Sequence, residues 1–298
     1  MSSPRRDEAL PLVRAAALVI IAVALALFVW LRPAAAGVVS IMPSTIEATV
    51  EPGGDVTTTV RVHYGKDGPE DTQPIRVLVT TEGWDMDDSG RLSFDDGEPV
   101  PGATADARDW IVFSPGEAEI RPGETLTMRV SIVVPEDASR GEYRAALIAQ
   151  PRLPYREQRP GTRRLDLLCR LASIVYVKVP PLADSVELDG LHIARSDNSF
   201  RVVPRLLNGG ETTVRVFDSF EILPLDGDPV WSCRRDSEES GVVLPGRSRE
   251  FAENLPCDLP AGTYSLLYRA DVGAEHPVLE GETSFVVSPE GTIVAAGE

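Results

Sequence analysis

The feature that most constrains this chain is a series of short segments in which apolar residues occupy every second position. Ile75, Val77 and Val79 show the pattern. β-Branched residues at this period predict strands, and turn residues separate the segments. Between residues 37 and 180 no stretch keeps a helical period for three turns, and strands of this length and spacing predict a β-sandwich. The strands predicted there are 45–50, 55–63, 75–81, 110–114, 126–134 and 141–150.

The second half of the chain follows the same pattern. Its predicted strands are 186–193, 200–207, 215–223, 249–254, 262–272 and 281–287. A Pro-Gly turn followed by a Gly-x-Tyr motif occurs once in each half, with the motif ending at Tyr143 and at Tyr264. In immunoglobulin-like sandwiches a tyrosine at this point folds its hydroxyl back onto the preceding loop. The sequence therefore predicts an all-β protein with two immunoglobulin-like β-sandwich domains in tandem, 37–180 and 181–288, and a flexible tail, 289–298.

The N-terminus has the features of a secretory signal. Arg5, Arg6 and Arg14 precede an apolar run over residues 15–31, and three consecutive alanines end at Ala36. This order of charge, apolar run and small residues predicts a signal peptide, 1–36, cleaved after Ala36. The alternative is an uncleaved membrane anchor, because the apolar run is at the short end of what spans a bilayer.

The charge balance argues against nucleic acid and anionic lipid as partners. The 298 residues include 29 Lys and Arg against 46 Asp and Glu, for a net charge of -17. Such a surface repels polyanions. A membrane contact is expected only through the N-terminal segment if it stays uncleaved.

The sequence shows no motif for catalysis and no motif for a cofactor. The three histidines, His63, His192 and His276, are far apart and lack metal-ligand spacing, and no nucleophile elbow, phosphate loop or dinucleotide fingerprint occurs. We therefore expect a protein that is not an enzyme. In an oxidising compartment Cys233 and Cys257 are candidates for a disulfide. Cys169 is expected to behave as a small apolar strand residue.

One acidic segment, 85–96, matches the spacing of a calcium loop. Oxygen ligands fall at Asp85, Asp87, Ser89 and Asp96, and a glycine lies at the sixth position. The flanking segments are predicted strands, whereas the EF-hand has helices. The alternative is therefore a polar hairpin with an Asp-Ser-Gly turn.

A long loop and a long apolar run set residues 141–179 apart from the rest of the chain. A loop rich in Pro and Arg, 151–164, is followed by an unusually long apolar run over 165–179. A strand longer than its own domain needs is typical of an edge offered to a partner.

Four segments give the chain a resemblance to the periplasmic pilus chaperones, the PapD-like family of the usher pathway. They are 40–53, 110–115, 120–130 and 171–180. The resemblance implies a periplasmic protein that binds pilin-like subunits, together with an outer-membrane usher, in fimbrium biogenesis. The last strand of the first domain would be lent to a subunit that lacks one. Leu165, Leu167, Cys169 and Leu171 lie at period two and suit such a strand; alternatively they only complete the domain's own core.

The family also anchors the subunit's terminal carboxylate between the domains, with an Arg on the first strand and a Lys on the last. Lys178 is the candidate for the Lys. The Arg has no counterpart, because no basic residue lies between residues 37 and 60. The function predicted from the resemblance is a chaperone acting by strand donation. The alternative is a structural or adhesive envelope module.

Overall fold

The computed structural model describes residues 39–66, 72–95, 106–152, 169–196, 199–235, 240–256, 258–273, 276–289 and 291–295. Within these ranges the chain is built of strands, with one 3-10 turn at Arg108–Trp110. The strands of the first half are β1 Val39–Met42, β2 Thr45–Thr49, β3 Asp55–Tyr64, β4 Ile75–Glu82, β5 Trp84–Met86, β6 Leu92–Phe94, β7 Ile111–Ser114, β8 Glu117–Ile120, β9 Thr125–Val133, β10 Gly141–Arg152 and β11 Leu171–Val179.

Two sheets face each other in the first half. One has the order β1-β3-β9-β7 and the other the order β2-β11-β10-β4-β8, while β5 and β6 form a separate hairpin. The alternation predicted from the sequence fills the space between the sheets, because every second residue of each strand points inward. Ile75, Val77 and Val79 are all buried there. They belong to the first core, which also includes Val60, Met128, Val130, Leu147, Val175 and Val177.

The second half forms another pair of sheets. Its strands are β12 Val186–Ser196, β13 Ser199–Asn208, β14 Val214–Pro224, β15 Trp231–Arg234, β16 Gly241–Val243, β17 Ser248–Glu250, β18 Glu253–Asn254, β19 Gly262–Asp271, β20 Leu279–Val287 and β21 Ile293–Ala295. The smaller sheet is β12-β13-β17, with β18 also on β13, and the larger is β15-β14-β19-β20-β21, with β16 also on β14. The second core between them includes Leu206, Phe220, Leu266, Tyr268 and Phe285. The chain is thus an all-β protein of two β-sandwich domains in tandem.

Both predicted tyrosine contacts are present. The Tyr143 hydroxyl donates to the Ser139 carbonyl at 2.9 Å, and the Tyr264 hydroxyl donates to the Pro260 carbonyl at 2.9 Å. Each bond fixes the loop that leads into a central strand. The repeated Gly-x-Tyr motif therefore has the same structural role in both domains.

The C-terminal tail and one predicted strand differ from the sequence-based expectation. The segment predicted as a flexible tail contains strand β21, which pairs antiparallel with β20 from Val287↔Ile293 to Phe285↔Ala295. Ile293 is buried and packs in the second core, which explains why the pairing forms. The strand predicted at 249–254 is interrupted at Phe251, whose buried side chain also packs in the second core.

Candidate binding edge and domain junction

Strand β11 has one side that is only partly paired. Along one side it pairs antiparallel with β10, from Gly141↔Val179 to Ala149↔Leu171. Along the other side it pairs parallel with β2, but only from Ile174 to Lys178. Next to the end of this pairing, the Ser173 hydroxyl donates to the Pro43 carbonyl at 2.8 Å. Within the described residues, no strand pairs with that side of β11 before Ile174. Ser173 is itself buried, so the open edge consists of Leu171 and Ala172, which are partly exposed.

The structure describes two of the four residues predicted as the partner-binding strand. Leu165 and Leu167 lie outside the described residues. Cys169 is exposed just before β11. Leu171 is half-buried and packs against the first core. The Leu171 side chain thus packs in its own domain, while its backbone lies on the open edge of β11.

Lys178, predicted as the carboxylate anchor, lies near a cation that the sequence did not indicate. The Glu47 carboxylate on β2 is 3.9 Å from Lys178 Nζ and 3.1 Å from Arg215 Nη2. Arg215 comes from β14 in the second domain. The Lys178 and Arg215 side chains are 25% and 39% exposed. Two solvent-accessible cations therefore share one carboxylate at the boundary between the domains.

An apolar cluster lies between the outward face of β10 and β11 and the second domain, which contributes Val242 and Leu244. Its buried members are Trp84, Ala146, Ile148, Tyr176, Val242 and Leu244, named here the junction cluster. The Trp84 and Tyr176 rings meet edge to face, with centroids 5.6 Å apart, and Trp84 Nε1 donates to the Ala145 carbonyl at 3.0 Å. The face of this sheet is thus occupied by the protein itself, which leaves the edge as the part open to a partner.

Charged side chains are buried beside this cluster. The Glu142 carboxylate accepts hydrogen bonds from the Thr213 backbone N–H at 2.7 Å and from the Thr212 and Thr213 hydroxyls. The Arg144 guanidinium lies 5.5 Å from the centre of the Trp84 ring. Burial lowers the pKa of Arg144, and the negative charge of Glu142 opposes that shift. Sequence reasoning missed these residues because strand periodicity alone does not reveal which outward-facing charges a neighbouring domain covers.

The acidic segment, 85–96, contains a hairpin of β5 and β6, which is the alternative to a calcium loop that the sequence left open. Asp87 Oδ1 accepts hydrogen bonds from the Ser89 and Arg91 backbone N–H groups at 3.0 and 2.9 Å, and from the Ser89 hydroxyl. The Ser89 hydroxyl bond and the Arg91 N–H bond lower the pKa of Asp87. Asp85 lies 2.8 Å from Arg247 Nη2 of the second domain.

Calcium binding by this hairpin stays a prediction. Asp96, the last proposed ligand, lies outside the described residues. Within them, no group of three His, Cys, Asp or Glu side chains is placed to hold a metal ion.

The remaining predictions concern the disulfide and the N-terminal segment. Cys233 lies in β15 and packs against the second core, whereas Cys257 is outside the described residues. The disulfide therefore stays a prediction. No helix in the described part of the chain is long and apolar enough to cross a membrane. The predicted signal or anchor, 1–36, is outside that part.

Comparison with known proteins returned only structural neighbours. No family model matches the chain, and no curated protein matches it. Among solved structures, the chain is similar to the class 5 fimbriae chaperone CfaA, with 12% identity, 82% of this chain and 98% of that chain covered, and a TM-score of 0.42.

Two further neighbours are of the same kind. One is the Pseudomonas aeruginosa CupB2 chaperone, with 13% identity, 81% and 97% covered, and a TM-score of 0.39. The other is a chain from the complex of Salmonella enterica SafA pilin with the SafB chaperone, with 12% identity, 83% and 97% covered, and a TM-score of 0.41. These neighbours are fimbrial chaperones, the group that the sequence resembles.

Proposed function

We propose that this protein is a chaperone that binds pilin-like or other secreted subunits by β-strand donation. The observation that carries the proposal is the open edge of β11 at residues 171 and 172, where β2 no longer pairs and β10 continues. An added strand gains main-chain hydrogen bonds along such an edge, and alternate side chains fill pockets in the partner. Leu165 and Leu167 precede this edge in the sequence at the required spacing.

The boundary between the domains supplies a site for a terminal carboxylate. Lys178 and Arg215 carry two positive charges, and Glu47 neutralises only one of them. A subunit's C-terminal carboxylate placed here would compete with Glu47 for both cations. Arg215 of the second domain would then take the role of the Arg that the first strand lacks. A charge-assisted pair of this kind fixes register as well as adding affinity.

The proposal includes location and further partners. The N-terminal segment 1–36 would direct export to the periplasm, where it is removed or stays as an anchor. An outer-membrane usher is proposed to receive the subunit from this chaperone. The role is binding and handover, without catalysis.

Strand donation is tested with the double substitution Leu165→Glu and Leu167→Glu. The probe is a pilin-like subunit encoded beside this gene, co-expressed without its own N-terminal strand and recovered by affinity purification of this protein. Two buried carboxylates at the contact should lower subunit recovery by about tenfold or more. The control is Leu225→Glu, because Leu225 is 81% exposed and lies in the second domain. Equal recovery with the double variant and the control would contradict donation from this strand.

The carboxylate site is tested separately with the same probe. Lys178→Gln and Arg215→Gln should each weaken subunit retention, since each removes a charged hydrogen-bond donor. Glu47→Gln should strengthen retention, because it removes the competing carboxylate. A Glu47→Gln variant that weakens retention like the other two would show that Glu47 supports the bound state.

A second candidate function is a structural or adhesive envelope module. It is favoured by the junction cluster and by the Glu142 hydrogen bonds, which tie the two sandwiches together as a spacer would require. This function predicts no subunit in the purification above and recovery of the protein in the membrane fraction with residues 1–36 intact. Recovery of the subunit with the purified protein distinguishes the two, because only the chaperone retains a subunit.

A further inference from the structure

A pocket of about 300 Å³ lies where the tip of the β5–β6 hairpin meets the second domain. Ser89 contributes to it from the hairpin, and Arg201, Arg235 and Arg249 contribute from the second domain. Three guanidinium groups in one pocket are unexpected in a chain whose net charge is -17. The pocket is separate from the open edge of β11.

Arg249 is held in place by contacts that leave its charge unpaired. Its Nη1 donates to the Val242 carbonyl at 2.7 Å, and its guanidinium lies 4.9 Å from the centre of the Phe251 ring. Gly90, at φ +83°, allows a close approach, because a Cβ there would lie 2.2 Å from Arg249 Nη2. Within the described part of the chain, no carboxylate lies within ion-pair distance of Arg249. Burial lowers the pKa of Arg249, and the positive charge of Arg235 lowers it further.

The other two arginines differ in their pairing. Arg235 lies 2.8 Å from Asp218 and 3.2 Å from Glu253, so its charge is compensated. Arg201 is exposed, and among the described residues it forms no salt bridge. The one carboxylate in the pocket wall is Glu250, which is also exposed. The lining therefore holds more positive charge than its own carboxylates neutralise.

We propose that this pocket binds a small oxyanion of the phosphate class, with Arg201 and Arg249 as its ligands. A guanidinium presents a planar fork of N–H donors that matches two phosphate oxygens. A divalent phosphate would match the two unpaired guanidiniums, whose side chains come from β13 and β17. The volume is at the lower end for small-molecule sites and accommodates phosphate or a small phosphate monoester. Because Ser89 belongs to the first domain, the bound anion would also contact both sides of the domain junction.

The test is isothermal titration calorimetry of the full protein in chloride buffer, with inorganic phosphate as the probe. We expect saturable binding with Kd of about 1 mM or lower. Arg201→Gln should weaken it about tenfold, because one charged hydrogen-bond donor is lost. The control is Arg61→Gln, an exposed arginine on β3 outside the pocket, which should bind as the wild type does. Arg201 is exposed, so its substitution should leave the fold intact.

Two further ligands distinguish a soluble phosphate from a lipid headgroup as the bound anion. Glycerol 3-phosphate should bind as well as inorganic phosphate does, whereas vesicles containing phosphatidic acid should not bind, because the acidic surface repels them. Arg249→Gln should abolish phosphate binding. Absence of saturable phosphate binding, or equal affinity in the Arg201→Gln and Arg61→Gln variants, would overturn the proposal. Binding to the vesicles but to neither soluble phosphate would overturn it in favour of a membrane contact.

Discussion

The Glu142 carboxylate on β10 accepts a hydrogen bond from the backbone N–H of Thr213, with 2.7 Å between Oε2 and N. The two residues belong to different sandwiches, and Glu142 is only 6% exposed. The Thr213 hydroxyl donates to the other carboxylate oxygen. A buried carboxylate is tolerated when its oxygens are hydrogen-bonded in this way. This contact therefore links the orientation of the second domain to the central strand of the first.

Removal of this carboxylate should weaken the domain junction. Glu142→Ala leaves the partly buried Thr213 N–H and the threonine hydroxyls without this acceptor, which should lower the free energy of unfolding by about 2 kcal/mol. Glu142→Gln keeps one acceptor oxygen and should lose less. Urea unfolding of the wild type and both variants measures the difference. An alanine variant as stable as the wild type would show that the carboxylate does not stabilise the junction.

Trp84 should be the side chain on which the junction cluster depends most. It is 1% exposed, contacts the Tyr176 ring, and donates through Nε1 to the Ala145 carbonyl. Trp84→Ala should cost about 3–5 kcal/mol, because it leaves a cavity and removes the hydrogen bond. Trp84→Phe keeps most of the volume and should cost less.

The same urea experiment measures both Trp84 variants. A control is Trp231→Ala, because Trp231 is only partly buried and lies against the second core, away from the junction. If Trp84→Ala and Trp84→Phe destabilise equally, the hydrogen bond rather than the volume of the ring accounts for the contribution.

The long strands could be predicted because their cores require strict alternation. In β9, Leu126, Met128, Val130 and Ile132 are buried while their neighbours face outward. The short strands β5 and β6 were indicated only by the Asp-Ser-Gly turn between them, since three residues cannot show a period. Strand β21 escaped prediction for the same reason, although burial of Ile293 accounts for it once the second core is known.

The site was only partly predictable. The run leading into β11 was visible as an apolar stretch, and the structure adds that the first two residues of this strand are left open by β2. Arg215 and Glu47 are 168 positions apart in the chain, so their pairing depends on how the two domains meet. Nothing local in either segment indicates it. Sequence patterns therefore located the strand, whereas the charges around Lys178 required the structure.

The two tyrosine corners should stabilise their domains independently. Tyr143→Phe and Tyr264→Phe each remove one hydroxyl that donates to a carbonyl four residues upstream. Each should lower the free energy of unfolding by about 1 kcal/mol, with the larger loss at the more buried Tyr264. Their effects should add in the double variant, because the residues lie in different sandwiches. Urea unfolding of the two single variants and the double variant tests this, and a clear departure from additivity would show that the corners are coupled through the junction.

Tyr176 should make the protein lose stability at alkaline pH. Burial, aided by the negative charge of Glu142, raises the pKa of Tyr176 from 10.0 to about 12. Between these values the unfolded chain releases the phenol proton while the folded chain keeps it, so rising pH favours unfolding. The shift of about two units corresponds to roughly 2–3 kcal/mol lost across this window.

The substitution Tyr176→Phe removes this proton while keeping the ring beside Trp84. The variant should therefore lose less stability than the wild type as the pH rises from 10 to about 12. Urea unfolding at several pH values measures the two slopes, and their difference isolates Tyr176 from the other groups that titrate in this range. Parallel slopes would mean that the phenol titrates at the same pH in the folded and unfolded chains, and that the junction does not shield it from water.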